Sequence, residues 1–314
     1  MSTQQQQWLR RLSLIVSKNA NGLDLSQLRV RFKVTAMDAE TPNAANIRVY
    51  NVKRETAKLI QAEFTDVTLQ AGYENGAFGI IFQGSINQFR TGREANIDSY
   101  LDILASDRDV PYNFGTVNAT LAAGATQRDV LTKIGDQVGL GTAYLPPDLT
   151  GSNPKALARG KVLWGMARTY YRTAARTADA TWSIQNGKVQ VIPLTGYLPN
   201  EVVELSSLTG MVGVPEQTAG GIHVRCLINP KLAVGGLVRI NNRDINRLIE
   251  ASSSIYGVPY NQWAGIQYAS SLSNDGLYRI YVIEYEGDSR GTPWYADLTC
   301  LAVDSSTGTV KAYG

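Results

Sequence analysis

The sequence has little of the chemistry on which most enzymes depend. Its 314 residues include one histidine, His223, and two cysteines, Cys226 and Cys300. General-base catalysis most often uses histidine, a structural zinc site needs about four histidine or cysteine ligands, and two cysteines cannot form a disulfide framework. His223 and Cys226 belong to an alternating strand pattern that places them on opposite sides of a strand. We therefore expect no catalytic dyad there, no metal site and no cofactor.

Charge and long apolar runs are also scarce. Charged residues make up 18% of the chain and the net charge is +3, whereas nucleic-acid binding usually requires a clustered basic patch. Arg10 and Arg11 precede a short apolar run over 12–16 that resembles an export signal, but a signal needs an apolar region of about 7–15 residues. No run approaches the roughly 18 apolar residues of a membrane span. We expect neither membrane insertion nor specific nucleic-acid binding.

Catalytic motifs are missing as well. The sequence contains no phosphate-binding loop, dinucleotide fingerprint or H-E-x-x-H motif. Glycosidases need only two carboxylates about 5–10 Å apart, so sequence leaves that alternative open. The nearest candidates, Asp107 with Asp109 and Glu55 with Glu63, are typical of solvated positions or a helix cap. We predict that the chain is not an enzyme.

Polar and apolar residues alternate through the first hundred residues, which predicts β-strands. The expected strands cover residues 12–16, 28–34, 47–50, 67–71, 78–82, 85–90 and 97–105. A short helix over 55–63 interrupts them. Asn75-Gly76 and Thr91-Gly92-Arg93 are expected to be turns. Strands at this spacing indicate a small barrel over residues 1–107.

The middle of the chain has helical patterns. Thr126 can cap a helix over 129–138 that Gly139 ends, and a second helix is expected over about 158–178. Asn186-Gly187 predicts the turn of a hairpin with strands 181–185 and 188–192. Residues 108–194 are therefore expected to form a helix-helix-hairpin α/β insert.

The second predicted helix carries a basic stripe. Arg168, Arg172 and Arg176 follow each other at intervals of four and so share one helix face. A solvated face is the plain interpretation. A docking surface for an acidic partner is the functional interpretation, because arginine is favoured at interfaces.

The last third returns to strands, expected over 222–228, 237–240, 277–286 and 294–303. A short helix is expected around 245–250, and residues 305–314 are expected to form a C-terminal tail. The pattern L-x-x-L-A-x-D occurs at 101–107 and again at 298–304. We therefore predict a mainly β fold with an α/β insert, in which two related small β-barrels, 1–107 and 195–304, flank the helix-helix-hairpin domain.

Residues 28–107 resemble the start of phage baseplate (tail) hub proteins. In that family a strand leads through a Pro-Asn turn into an "IrIyN"-like strand, followed by an F-x-G-x-I strand and an L-x-x-x-A-x-D strand. The residues that match this structural motif are Pro42, Asn43, Ile47, Val49, Tyr50, Asn51, Gly84, Leu101, Leu104 and Asp107. Pro42 fixes φ and Asn43 accepts turn geometry.

The resemblance implies a structural hub of a phage tail baseplate in the virion, assembled in the host cytoplasm. It implies a homotrimer in which two barrels per chain form a pseudo-sixfold adaptor between the tail-tube protein and the central spike protein, with other baseplate proteins as neighbours. Two alternatives remain: a tail-associated hydrolase of cell wall or polysaccharide, and a receptor-binding tail-tip module, for which Trp263 would be the exposed aromatic residue.

Overall fold

The structure is a computed structural model of a mainly β chain. It describes residues 7–19, 21–94, 97–147, 149, 156–218, 220–241, 245, 273, 275–304 and 309–310. Trp263 and the short helix expected around 245–250 lie outside the described residues, apart from Ile245. Among the described helices, none has the length and apolarity needed to cross a membrane.

Within its described residues, the N-terminal part has seven strands and one helix. They are β1 (Arg10–Lys18), β2 (Asn21–Asp24), β3 (Val30–Met37), β4 (Ala44–Tyr50), α1 (Arg54–Glu63), β5 (Asp66–Tyr73), β6 (Phe78–Glu94) and β7 (Asp98–Ser106). The alternating pattern correctly predicted β1, β3, β4, β5 and β7. The short helix expected over 55–63 is α1. Alternate residues of β3 are fully buried, because one face of that strand lies on the core.

One predicted turn in this part is wrong. Thr91-Gly92-Arg93 lies inside β6, which runs without a break for 17 residues, and Thr91 pairs with Leu101 of β7. The reason is that residues 87–94 are largely exposed. Their polar side chains imitate the composition of a turn although the backbone stays extended.

The described residues of the insert form three helices and two small sheets. Its elements are α2 (Asp109–Phe114), β8 (Thr116–Leu121), α3 (Gln127–Val138), β9 (Gly141–Tyr144), β10 (Lys161–Met166), α4 (Ala167–Thr177), β11 (Ala180–Gln185) and β12 (Lys188–Pro193). Thr126 and Asp129 form a capping box on α3, and Gly139 ends it with φ 69°. The Asn186-Gly187 hairpin is also confirmed, with both residues at positive φ.

Helix α4, which corresponds to the second helix expected in the insert, is shorter than expected. It begins at Ala167 rather than near residue 158, because residues 161–166 form β10 and pair with β8. Val162 and Trp164 are exposed while Leu163 is buried, which is a period-two pattern. Leu163 therefore belongs to strand β10 and not to the helix expected over about 158–178.

The described residues of the C-terminal part form seven strands. They are β13 (Val203–Leu205), β14 (Met211–Thr218), β15 (Gly221–Leu227), β16 (Leu237–Ile240), β17 (Leu277–Asp288), β18 (Trp294–Asp304) and β19 (Thr309–Val310). The sequence did not indicate β14, in which Gly213 and Pro215 break the pattern at an irregularity in its pairing with β15. The expected tail over 305–314 includes β19, which pairs with the end of β18.

The strands of the N-terminal and C-terminal parts form one 14-stranded sheet. Its main path runs β14-β15-β18-β17-β3-β4-β7-β6-β5-β1-β2, and β16 pairs with β17 and β13. The order β3-β4-β7-β6-β5 of the N-terminal part thus occurs again as β14-β15-β18-β17-β16. The antiparallel pairing of β17 with β3 joins the two parts.

The expectation of two closed barrels is not met. Within the described residues no strand pairing closes either part, and one hydrophobic core takes residues from both. Closure of the N-terminal part would require an edge of β3, and β17 occupies that edge. A second core lies within the insert, between α3, α4 and its strands.

Candidate functional site

Five of the ten residues of the structural motif lie on two neighbouring strands, β4 and β7. Ile47, Val49 and Leu101 point into the core and are almost fully buried, and Val49 pairs directly with Leu101. Tyr50 is also buried, and its hydroxyl donates to Oε2 of Glu94 at 2.6 Å. This part of the motif therefore stabilises the centre of the sheet. Leu104 is only half-buried and lies opposite Asn46.

Two motif residues are explained by backbone geometry. Asn51 has φ 56°, which asparagine tolerates better than most residues, and its Oδ1 accepts from the backbone N of Ser99 at 3.2 Å. Gly84 lies where a Cβ would come within 2.6 Å of the carbonyl oxygen of Ser106. Only glycine allows β6 and β7 to approach this closely.

The remaining motif residues connect the sheet to the insert. Pro42 is half-buried, and the side-chain Oδ1 of Asn43 accepts from the backbone N of Met37 at 3.0 Å. The same side chain donates to Oε1 of Gln185 at 2.8 Å and to the carbonyl of Ile184 at 3.1 Å. Asn43 thus binds the insert hairpin to the turn between β3 and β4.

Asp107 makes a second contact to the same hairpin. Its Oδ1 accepts from the backbone N of Gly187 at 2.8 Å, while its Oδ2 has no hydrogen-bond partner. Burial raises the pKa of the Asp107 carboxyl to about 6, and the Gly187 N–H only partly offsets this effect. The carboxyl is therefore mainly charged at neutral pH at a cost in stability.

A buried ion pair between residues far apart in the sequence completes this junction between the sheet and the insert. Arg279 of β17 donates to Oδ2 of Asp38, and both side chains are buried. Thr181 Oγ1 donates to the same carboxylate at 3.1 Å, and Arg279 Nη1 donates to the carbonyls of Leu194 at 3.3 Å and Gly196 at 2.9 Å. The N-terminal part, the insert and the C-terminal part all meet here.

The basic stripe is partly used within the chain. Arg172 Nε lies 2.5 Å from Oε2 of Glu40, in the turn between β3 and β4. Arg168 Nη1 lies 3.3 Å from Oδ1 of Asn113, and its guanidinium stands over the Tyr112 ring. Arg176 is exposed at the end of α4. The three arginines lie on one helix face, but two of them bind neighbouring residues.

The residues considered for chemistry lie apart from this junction. His223 is exposed on β15, while Cys226 and Cys300 are buried on the other side of the sheet. Burial raises the pKa of the Cys226 thiol to about 12, so it is a poor nucleophile. Among the described residues there is no cluster of three or more acidic, histidine or cysteine side chains that could hold a metal ion.

A polar triad of the same composition lies at corresponding places in the two halves of the sheet. Arg48 Nε lies 2.7 Å from Oδ1 of Asp102 across β4 and β7, and its guanidinium stands over the Tyr100 ring. Arg225 Nε lies 2.7 Å from Oδ1 of Asp297 across β15 and β18, over the Tyr295 ring. Both pairs are bidentate. The motif Tyr-x-Asp at 100–102 and 295–297 is the sequence signal that could have revealed them.

A β-bulge repeats at the corresponding place. The pairing of β6 with β7 shifts between Ile86 and Gln88, and that of β17 with β18 shifts between Ile280 and Val282. The bulge and the triad give the same alignment, in which Asp102 corresponds to Asp297. The expected correspondence of Leu101 with Leu298 is therefore wrong by two residues, since Leu101 aligns with Ala296. A shift of two keeps every side chain on the same face, so the apolar pattern could not detect it.

The comparison with known families agrees with the resemblance. A family model described as baseplate hub gp41 matches residues 11–262, which is well over half of the chain. No curated protein sequence matches the chain.

Among the solved structures that are similar in fold are three with TM-scores above 0.5. The 43 kDa tail protein of prophage MuSo2 from Shewanella oneidensis is 7% identical with a TM-score of 0.56, over 93% of this chain and 98% of that chain. The tail protein from Neisseria meningitidis MC58 is 9% identical with a TM-score of 0.54, over 93% and 96%. A chain of a lidless PdpA–VgrG complex is 7% identical with a TM-score of 0.51, over 99% and 66%. At such low identity the likeness shows the fold alone.

Proposed function

The chain belongs to the baseplate hub gp41 family, and from this premise we propose that three copies form a ring that connects a tail tube to a central spike. Its role in the phage tail baseplate, and so in the virion, is structural. In the proposed ring each chain contributes two related sheet units, N-terminal and C-terminal, so the ring has pseudo-sixfold symmetry. The chains are assembled in the host cytoplasm and meet other baseplate proteins in the particle.

The repeated triad is the observation that carries this proposal. Arg48, Asp102 and Tyr100 correspond to Arg225, Asp297 and Tyr295, in strands that also repeat the same order. Two units of one design in each of three chains give six repeats around an axis, which is the match that a sixfold tube requires. A single unit per chain would give only three.

The insert, residues 108–194, is proposed to be a separate unit that lies off the ring. Its own hydrophobic core and its polar junction with the sheet support this division. We propose that Arg176, together with Arg168 and Arg172, faces a neighbouring acidic baseplate protein. Because Arg172 already pairs with Glu40, Arg176 is the residue that is most available for an external contact.

The mass of the purified full-length chain tests the ring. We expect native mass spectrometry to give three times the chain mass, and a stable monomer or dimer would overturn the proposal. We also propose that the chain has no hydrolytic activity of its own. Zymography on cell-wall substrate is expected to show no lysis, and lysis that one carboxylate substitution abolishes would favour the hydrolase alternative.

A further inference from the structure

Two corresponding strand segments differ in the number of strands with which they pair. Residues 282–288 of β17 lie between β18 and β3, whereas their counterparts in β6, residues 88–94, pair only with β7 within the described part of the chain. Tyr285 of β17 is buried, but its counterpart Thr91 is exposed. The edge of β6 thus presents backbone groups that could pair with another strand.

Strand β14 lies at one end of the main strand path and corresponds to β3 of the N-terminal part. Lys33 of β3 lies opposite Asn46, and Glu216 of β14 lies opposite His223, the counterpart of Asn46. Strand β3 pairs with β17 on its far side. Strand β14 ends the sheet, with β15 as its one strand neighbour among the described residues.

At these edges, corresponding positions in the two units carry charges of opposite sign. Where β3 joins β17, Lys33 Nζ lies 3.9 Å from Oε2 of Glu284. The positions that correspond to Lys33 and Glu284 carry Glu216 and Arg90. A β14–β6 joint would therefore place opposite charges together, whereas β3 on β6 or β14 on β17 would place like charges together.

We infer that β14 of one protomer pairs antiparallel with residues 88–94 of β6 in the next protomer. Transfer of the β3–β17 alignment places Glu216 opposite Gly92 and Thr218 opposite Arg90, with an ion pair between Glu216 and Arg90. The inference rests on the proposed ring and names its contact. The contact is head-to-tail, so three copies can close a ring in which β3–β17 joints within chains alternate with β14–β6 joints between chains.

Disulfide trapping tests this alignment in the full-length protein. We expect oxidation of an Arg90→Cys, Thr218→Cys variant to link chains into covalent dimers and trimers on a denaturing gel. The matched negative control is Thr91→Cys with Thr218→Cys, because residue 91 points to the other face of the strand. The positive control is Thr35→Cys with Glu284→Cys, whose positions are paired within one chain. Cys226 and Cys300 are buried and do not interfere.

The outcomes separate this inference from the proposed function. If the positive control crosslinks but the Arg90→Cys, Thr218→Cys variant stays uncrosslinked, or crosslinks within single chains, while the native mass is that of a trimer, the strand contact is wrong and the ring stands. If the native mass is that of a monomer or dimer, both are wrong. Charge exchange gives a second test: Arg90→Glu and Glu216→Arg should each weaken trimer formation several-fold, and their combination should restore it.

Discussion

Asp107 should make the stability of this protein fall between mildly acidic and neutral pH. Its carboxyl is buried with one unpartnered oxygen, and burial raises its pKa from 3.8 to about 6. A group whose pKa is raised in the folded state binds more protons there than in the unfolded chain. The protonated form therefore favours folding, and this contribution is lost as the pH rises from about 4 to above 6.

The size of the effect follows from the two pKa values. At about 1.36 kcal/mol per pH unit, full ionisation of Asp107 costs roughly 3 kcal/mol relative to the protonated carboxyl. Part of that cost is already present at pH 4.5, so the change between pH 4.5 and 7.5 is roughly 2 kcal/mol. Asp107→Asn cannot ionise and should lose this part of the pH dependence.

The measurement is the free energy of unfolding in urea at both pH values, for the wild type, for Asp107→Asn and for Asp136→Asn, which removes an exposed carboxylate of α3. The difference between the two pH values cancels any constant cost of the new amide beside Gly187. Between pH 4.5 and 7.5, we expect the free energy of unfolding of Asp107→Asn to rise by roughly 2 kcal/mol relative to that of the wild type. The pH dependence of Asp136→Asn should be the same as that of the wild type. Parallel profiles for the wild type and Asp107→Asn would refute the reasoning.

Three further predictions concern other contacts of the sheet and insert. Arg279→Met should lower the free energy of unfolding by about 3–5 kcal/mol, because Asp38 is left charged and buried; adding Asp38→Asn should recover part of this, and equal losses in the single and double variants would contradict it. Gly84→Ala should cost about 1–3 kcal/mol through the clash with the Ser106 carbonyl, whereas Gly141→Ala, with no atom nearer than 3.5 Å, should not show this loss in thermal or urea unfolding. Arg172→Glu should destabilise the fold more than Arg176→Glu, because it places a carboxylate beside Glu40. The unfolding free energy of Arg176→Glu should stay within about 0.5 kcal/mol of the wild type, yet this variant should reduce tail assembly. Normal assembly would show that the stripe is a solvated face.

Local chemical signals predicted much of the fold. The capped helix α3, the Asn186-Gly187 hairpin and the strands β4 and β7 each carry their own start, stop or alternation within a few residues. Where tertiary contacts override such local signals, the prediction from sequence is wrong. The pattern of β10 runs directly into α4 and therefore resembles part of a helix, and the polar composition of the exposed half of β6 resembles a turn.

The junction and the joint between the two halves could not be predicted in this way. Asp38 and Arg279 are 241 positions apart, and β17 pairs with a strand that lies about as far away in the chain. Neither the polarity of Asp38 nor that of Arg279 indicates which partner it will meet. Motif likeness identified Asn43 and Asp107 as important, but only their contacts show that they hold the insert.

The differences between the two halves are as informative as their likeness. The features that both halves keep, the cross-strand triad and the bulge, lie between the inner strands of each unit, where they mark the same strand register. The features that differ lie on the edges, where Lys33 and Glu284 correspond to Glu216 and Arg90. A ring made from two units per chain has two kinds of joint, and identical edges would let the wrong units pair. In the proposed ring, opposite charge order at the two joints would remove that ambiguity at little cost in stability, because exposed ion pairs contribute at most about 1 kcal/mol each.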